Sequence, residues 1–175
     1  MVLIVCLLCG FSALPLIARD HPVTTVKSVN LNRYLGTWYE IASFPNRFQR
    51  DCRCTSATYD IQGRHIGIVN RCYKGRNLVL DEAKGKAWPV DQTNSKLKVQ
   101  FFWPFTGNYW IIALSPTYRW VLVGSPDRDY LWVLSRSRVM SKKRYRAIVR
   151  MAKQQGFDVT RLVKTIQRCH KPRRH

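Results

Sequence analysis

The chain has 175 residues, of which 46% are hydrophobic and 12% are aromatic, which is enough for the core of one ordinary domain and short for two. This composition excludes wholesale disorder, and its many Trp, Tyr and Phe residues favour strands or a cavity wall over a helical bundle. Lys and Arg number 30 against 10 Asp and Glu, a formal charge of +20 that indicates either a merely basic surface or an anionic partner such as acidic lipid or lipopolysaccharide. The cations do not interleave with aromatics as in RNA-recognition domains, so nucleic acid is not the expected partner.

The first element along the chain is an apolar run from Val2 to Ile17. It is short for a membrane-spanning helix and is typical of a cleaved signal peptide, here residues 1–18. An alternative is that Cys9 is acylated after cleavage, although Leu8 stands where a small residue is expected. The run predicts an exported protein, periplasmic or associated with the outer membrane if bacterial and secreted otherwise.

Beyond the leader, short apolar stretches alternate with turn signals such as Gly63 and Gly75, as in a protein made of strands joined by hairpins. Eight strands are predicted in this region: Thr37–Phe44, Cys54–Ile61, Ile66–Tyr73, Leu78–Val90, Lys96–Trp103, Tyr109–Ser115, Trp120–Gly124 and Tyr130–Arg136.

The apolar period then changes from that of a strand to that of a helix. Ser141 is a plausible N-cap, and Gly156 stands where a helix ends in the left-handed conformation. One apolar stripe joins Tyr145, Ile148, Val149 and Ala152, and the opposite face is cationic. That face is either ordinary solvated surface or a membrane-docking face. One more short strand is possible after the helix, within the sequence FDVTRLVKTI.

Many short strands in succession followed by one helix predict an all-β fold, an eight-stranded antiparallel up-and-down β-barrel with a C-terminal α-helix packed on it. Closure removes exposed sheet edges, and eight strands leave room for one small ligand. A β-sandwich is the alternative.

Four cysteines remain outside the leader: Cys52, Cys54, Cys72 and Cys169. An even number in an exported domain predicts two disulfides, and the spacing does not suit a zinc site. Three pairings are possible. One of them is Cys54–Cys72, because a hairpin centred near Gly63 would place these two opposite each other.

The titratable residues do not predict an enzyme. His21, His65, His170 and His175 form no recognisable constellation, and no glycine-rich phosphate loop is present. The sequence therefore predicts no catalytic residue, no metal and no cofactor.

Three motifs identify a resemblance. Gly36-Thr37-Trp38 opens the first predicted strand, Tyr118 precedes the seventh, and Arg136 ends the eighth. In order and spacing they resemble the three motifs of the lipocalins, and specifically the branch of bacterial outer-membrane lipocalins and apolipoprotein D. The resemblance defines a barrel domain over residues 29–168 and leaves 169–175 as a basic tail. The run Ser115-Pro116-Thr117-Tyr118 departs from the usual Thr-Asp-Tyr of the second motif.

The resemblance implies that Trp38 and Arg136 meet at the closed end of the barrel, where a guanidinium over an indole gains ~0.5–2 kcal/mol. Gly36 would let the preceding segment approach Trp38 closely. The resemblance also implies the disulfide Cys54–Cys169, which leaves Cys52 to pair with Cys72.

The ligand implied by the resemblance is a fatty acid or a lysophospholipid, bound for transport or storage at or near a membrane. Strand alternation and aromatic character predict the ligand-binding residues Ala57, Tyr59, Phe102, Tyr109, Trp120 and Trp132. A headgroup at the rim would meet Arg47 or Arg50. The alternative function is a cationic surface-interaction protein that binds anionic membrane or lipopolysaccharide and uses the barrel as scaffold.

Overall fold

The computed structural model describes residues 21–169. The predicted signal peptide, Cys9 and the tail beyond Cys169 lie outside this range. The elements in chain order are α1 (Leu31–Tyr34), β1 (Gly36–Ser43), a 3₁₀ turn (Arg47–Gln49), β2 (Cys52–Gln62), β3 (His65–Lys74), β4 (Val79–Pro89), β5 (Lys96–Phe102), β6 (Phe105–Leu114), β7 (Trp120–Gly124), β8 (Leu131–Ser135), α2 (Lys142–Gln154), a second 3₁₀ turn (Val159–Arg161) and β9 (Val163–Lys164).

Strands β1 to β8 form a closed barrel. Each strand pairs antiparallel with the next, and β1 pairs with β2 on one side and with β8 on the other. The predicted eight-stranded antiparallel up-and-down barrel is confirmed, and the sandwich alternative is wrong. Closure through β1 places the first and last motifs side by side, because Tyr39 in β1 lies opposite Ser135 at the end of β8.

The largest boundary error of the sequence-based strands is at β6, which begins at Phe105 and not at Tyr109. Thr106, Gly107 and Asn108 have the composition of a loop, yet Gly107 pairs with Val99 of β5. Backbone pairing with the neighbouring strand overrides the weak strand propensity of these residues.

Where β1 and β2 diverge, residues from the C-terminus fill the gap. Residues 163–169, which we call the strap, run beside β1, and β9 is the part that pairs with it. On the other side, the Cys54 N–H donates to the carbonyl of Ile166. The strap therefore completes the wall of the barrel between these two strands.

Two disulfides connect this region, Cys54–Cys169 and Cys52–Cys72. The rival pairing Cys54–Cys72 does not form. An irregularity in the β2–β3 register between Arg53 and Ser56 takes Cys54 out of the ladder, and its backbone bonds the strap instead.

Helix α2 packs on the outside of the barrel. Its buried residues Ile148 and Ala152 share a core cluster with the outward side chains of β1, β7 and β8. The helix ends where predicted, because Gly156 takes φ +79° and the Phe157 N–H donates back to the Ala152 carbonyl. Within residues 21–169, no helix is long and apolar enough to cross a membrane.

Candidate functional site: the barrel cavity

One end of the barrel is closed by a Trp–Arg pair. Trp38 is fully buried, and Arg136 Cζ lies 3.8 Å from the centroid of its ring. The Arg136 guanidinium also donates hydrogen bonds to backbone carbonyls, those of Arg33, Tyr34, Leu35 and Thr37. One side chain therefore ties α1 to the start of β1 beneath the barrel.

Gly36 is required beside this pair for its backbone conformation. Its φ is +87°, in the left-handed region that L side chains rarely adopt, and a Cβ there would lie 3.5 Å from Arg136 Nη1. The sequence-based explanation for a glycine at this position was a close approach to Trp38. The structure explains the glycine by its backbone conformation.

Tyr118 holds the other side of the closed end despite the altered motif around it. Its hydroxyl accepts a hydrogen bond from the Asn30 N–H at 2.9 Å, and Arg33 Cζ lies 4.2 Å from the centre of its ring. The phenol thus takes part in seating α1 across the barrel.

Above the closed end the barrel encloses a cavity of about 530 Å³. Five of the six predicted ligand-binding residues line it: Ala57, Tyr59, Phe102, Tyr109 and Trp132. Ile68, Val99, Phe101 and Leu134 add further apolar wall. A concave, mainly apolar space of this size is typical of small-molecule sites.

Trp120, the sixth predicted ligand-binding residue, does not line the cavity. It packs with the cluster between the barrel and α2, whereas its neighbours Val121 and Val123 belong to the interior cluster. Because side chains alternate along β7, the inward Val121 and Val123 leave Trp120 facing outward.

The lower part of the cavity rests on a cluster of three tyrosines, of which Tyr59 and Tyr109 line the cavity and Tyr34 lies beneath them. The hydroxyl of Tyr109 lies 2.7 Å from that of Tyr34 and 3.0 Å from that of Tyr59. Burial raises the pKa of all three well above the ordinary value, so the hydroxyls stay protonated at neutral pH. The floor is therefore polar at its hydroxyls but carries no charge. Sequence reasoning missed Tyr34, although it precedes the first motif by two residues.

A buried carboxyl, Glu40, also lines the cavity. It accepts hydrogen bonds from Gln49 Nε2 at 2.7 Å, from Ser43 Oγ at 3.2 Å and from the Thr165 hydroxyl of the strap. Desolvation nevertheless raises its pKa, because these hydrogen bonds offset only part of the loss of water. Strand alternation could have located it, since Glu40 follows the inward-facing Trp38 by two residues.

The raised pKa of Glu40 predicts a pH-dependent stability. As pH rises above the ordinary pKa of 4.5, the Glu40 carboxyl ionises in the unfolded chain before it ionises in the folded protein. The free energy of unfolding of the wild type therefore falls with rising pH until the carboxyl has ionised in the folded protein too. Glu40→Gln removes this titration. The free energy of unfolding of the variant minus that of the wild type should therefore rise from pH 4.5 towards neutral pH. Urea unfolding of both proteins between pH 4 and 8 measures it, and a difference that stays constant or falls would contradict the assignment.

The rim of the cavity combines cations and exposed aromatics. Arg47 lines the mouth and Arg50, three residues on, does not. Phe102, Trp103 and Phe105 in the β5–β6 hairpin are 65%, 86% and 76% exposed. We call these three residues the aromatic tip.

Among the described residues, one group of possible metal ligands lies close together: Cys52, Cys72 and Asp81. Both sulfurs of this group are joined in a disulfide, so they cannot act as thiolate ligands. These residues do not fit a metal ion.

The Lipocalin-like domain family matches residues 29–167, nearly all of the described chain. The chain belongs to the lipocalin family. Outer membrane lipoprotein Blc of Escherichia coli strain K12 is 41% identical to this lipocalin over 143 residues, which cover 81% of each chain. Apolipoprotein D of Macaca fascicularis is 30% identical over 145 residues, which cover 78% of this chain and 76% of that protein. The branch indicated by the sequence motifs is confirmed.

The solved structures agree in fold. Lobster apocrustacyanin A1 superposes with a TM-score of 0.66 at 20% identity, covering 87% of this lipocalin and 94% of that chain. Family membership establishes a protein that binds or transports small hydrophobic ligands, not an enzyme.

Proposed function

We propose that this lipocalin binds single-chain lipids, fatty acids or lysophospholipids, and carries or stores them at a membrane. The observation that supports this most is the cavity of about 530 Å³, with its apolar and aromatic wall and its uncharged tyrosine floor. Each buried methylene contributes about 0.8 kcal/mol, so an acyl chain would bind without special chemistry. An ionised Glu40 in the wall would disfavour a second anionic group beside it, which directs the headgroup to the rim.

At the rim, Arg47 is the candidate partner of an anionic headgroup. It lines the mouth, and its guanidinium lies 4.9 Å from the centre of the Phe48 ring. Because Arg47 is exposed to solvent, its attraction for a carboxylate is modest and decreases with salt.

Arg47→Gln is therefore expected to weaken binding of a free fatty acid by about 2- to 5-fold at low salt and to leave its methyl ester unaffected. Arg50→Gln is the matched control, since it removes the same charge from the same loop outside the cavity. Fluorescence displacement at several salt concentrations measures both. Equal affinity of the wild type for the acid and the ester would eliminate the role of Arg47.

Exchange with a membrane is supported by the aromatic tip. Three exposed aromatic side chains at the mouth are typical of surfaces that meet the interface between lipid and water.

Export is supported by the apolar leader, residues 1–18, which we propose is cleaved as a signal peptide. The relative Blc is named an outer membrane lipoprotein, and we propose a periplasmic, outer-membrane or secreted location here, with residues 29–168 as the functional domain.

Native mass spectrometry of protein purified without added lipid tests the ligand class. We expect added masses that correspond to single-chain lipids and that disappear on delipidation. An empty cavity that also fails to take up oleate, together with salt-sensitive binding to anionic vesicles, would instead favour the alternative in which the barrel is only a scaffold.

A further inference from the structure

A second concavity lies on the outside of the barrel and shares no lining residue with the cavity. It is about 520 Å³ in size and lies between α2 and the strap. We call it the outer groove. Its apolar surface consists of Ile41, Val139, Met140 and Tyr145, and Val139 is 80% exposed. An exposed apolar surface of this kind suits the hydrophobic part of a ligand.

The charges around the outer groove all have one sign. Among residues 21–169, the charged groups that line it are five cations and no carboxylate. These cations are Arg138, Lys142, Arg146, Lys164 and Arg168. The short ion pairs found among residues 21–169 lie elsewhere, on β3 and β4. The groove therefore concentrates positive charge, and the nearest carboxyl that contacts its lining, that of Glu40, is buried behind Thr165 and bonded to it.

Two of these cations are held in place by aromatic rings. Arg138 Cζ lies 4.5 Å from the centre of the Tyr39 ring, and Lys164 Nζ lies 5.1 Å from that of Tyr145. Such contacts keep a charged group beside an apolar surface and restrict its motion. Positioned cations lose less conformational freedom when an anion binds.

The first turn of α2 adds to the positive potential. Lys142 is the first residue of this 13-residue helix, and Arg146 follows one turn later. Cations at the positive end of a helix dipole are unfavourable, and like charges around one groove repel one another. A bound anion would relieve both effects, so the groove is suited to a negatively charged ligand.

We propose that the outer groove binds the phosphate headgroup of an anionic phospholipid. Three guanidinium and two ammonium groups can surround the phosphodiester of such a lipid, whose two non-bridging oxygens share one negative charge and whose ester oxygens are further, weaker acceptors. The glycerol and the first methylenes of the lipid would lie on the apolar surface near Val139. This site is distinct from the cavity, and the inference does not depend on what the cavity binds.

The test uses the full-length protein and two matched double variants on α2. Lys142→Gln/Arg146→Gln removes two cations that line the groove. Lys143→Gln/Arg150→Gln removes one Lys and one Arg, also exposed and on the same helix, that do not line it. Calorimetric titration with dihexanoylphosphatidylglycerol below its micelle concentration measures the affinity, and inorganic phosphate is the second titrant.

We expect the groove variant to bind this lipid about tenfold or more weakly than the wild type, and the control variant to change by less than about twofold. Inorganic phosphate should bind much more weakly than the lipid. Equal losses in both variants would show only the general positive field, and no loss in either would place the lipid elsewhere. Phosphate binding as tight as that of the lipid would show a site for phosphate alone. Each of these three results overturns the proposal.

A separate measurement keeps this proposal distinct from the proposed cavity function. Displacement of a fluorescent fatty acid from the cavity should be unchanged in both double variants. If that binding is absent in the wild type while the groove result holds, the cavity function fails and the groove proposal stands.

Discussion

Replacing Ala57 with Trp is expected to reduce the affinity for an 18-carbon fatty acid by about 100-fold. Ala57 lines the cavity and lies opposite Trp38 in the β1–β2 pairing, just above the closed end. An indole there would occupy the lower cavity and force about four methylenes out, each worth about 0.8 kcal/mol. Displacement of a fluorescent fatty acid measures the loss, which should be smaller for a 10-carbon acid.

Val69→Trp is the control for this substitution. Val69 neighbours the cavity-lining Ile68 on β3 and alternates with it, so a Trp there points away from the cavity. It should keep the wild-type affinity. Overpacking of the Ala57 variant can cost about 1–3 kcal/mol, so circular dichroism must first show that it is folded. A folded variant that binds the long-chain acid as the wild type does would show that ligands do not enter the lower cavity.

Replacing Arg136 with Met is expected to lower the free energy of unfolding by about 3 kcal/mol. Met keeps much of the apolar length but leaves four backbone carbonyls without their charged donor. It also removes the guanidinium from the face of Trp38, at 3.8 Å. Since one of these carbonyls is exposed and can be hydrated, the loss is smaller than the sum of four separate bonds. Urea unfolding followed by circular dichroism measures it.

Arg138→Met provides the comparison. Arg138 also lies over an aromatic ring, that of Tyr39 at 4.5 Å. A cation–π contact at such a surface site is worth about 0.5–1 kcal/mol, so this variant should lose no more than that. Similar losses in the two variants would mean that the carbonyl hydrogen bonds of Arg136 contribute nothing beyond the ring contact.

The fold was predictable because its signals are local. Alternation along single strands, the break at Gly63 and the helical stripe at Ile148 and Ala152 each depend on neighbours within one element. The meeting of Trp38 and Arg136 was implied by the resemblance to the lipocalin motifs, and it occurs because closure of the barrel places the start of β1 beside the end of β8.

The error at Trp120 has a physical reason. Strand β7 is apolar on both faces, since one faces the barrel interior and the other lies under α2, and four of its five residues are buried. A continuous apolar run has no polar side to mark the outward face. Only the packing of α2 against the barrel decides which face of β7 points inward.

Glu40 was missed for a different reason. A carboxyl in a strand is normally assigned to the solvent side, and its burial depends on Gln49 and on Thr165, which is 125 residues away in the chain. Thr165 becomes a partner of Glu40 only once the strap lies beside β1.

Alternation along single strands was enough to indicate the barrel and the apolar character of its wall, and the order of the three motifs implied the Trp–Arg closure by resemblance to the lipocalins. Only packing between elements fixes which aromatics face inward, places the strap in the wall, and gathers Arg138 and the cations of α2 and the strap around one groove. The strap is held by contacts such as the hydrogen bond from the Thr165 N–H to the carbonyl of Ile41, more than 100 residues earlier, and the inward face of β7 is set by the packing of α2. No local pattern encodes such contacts.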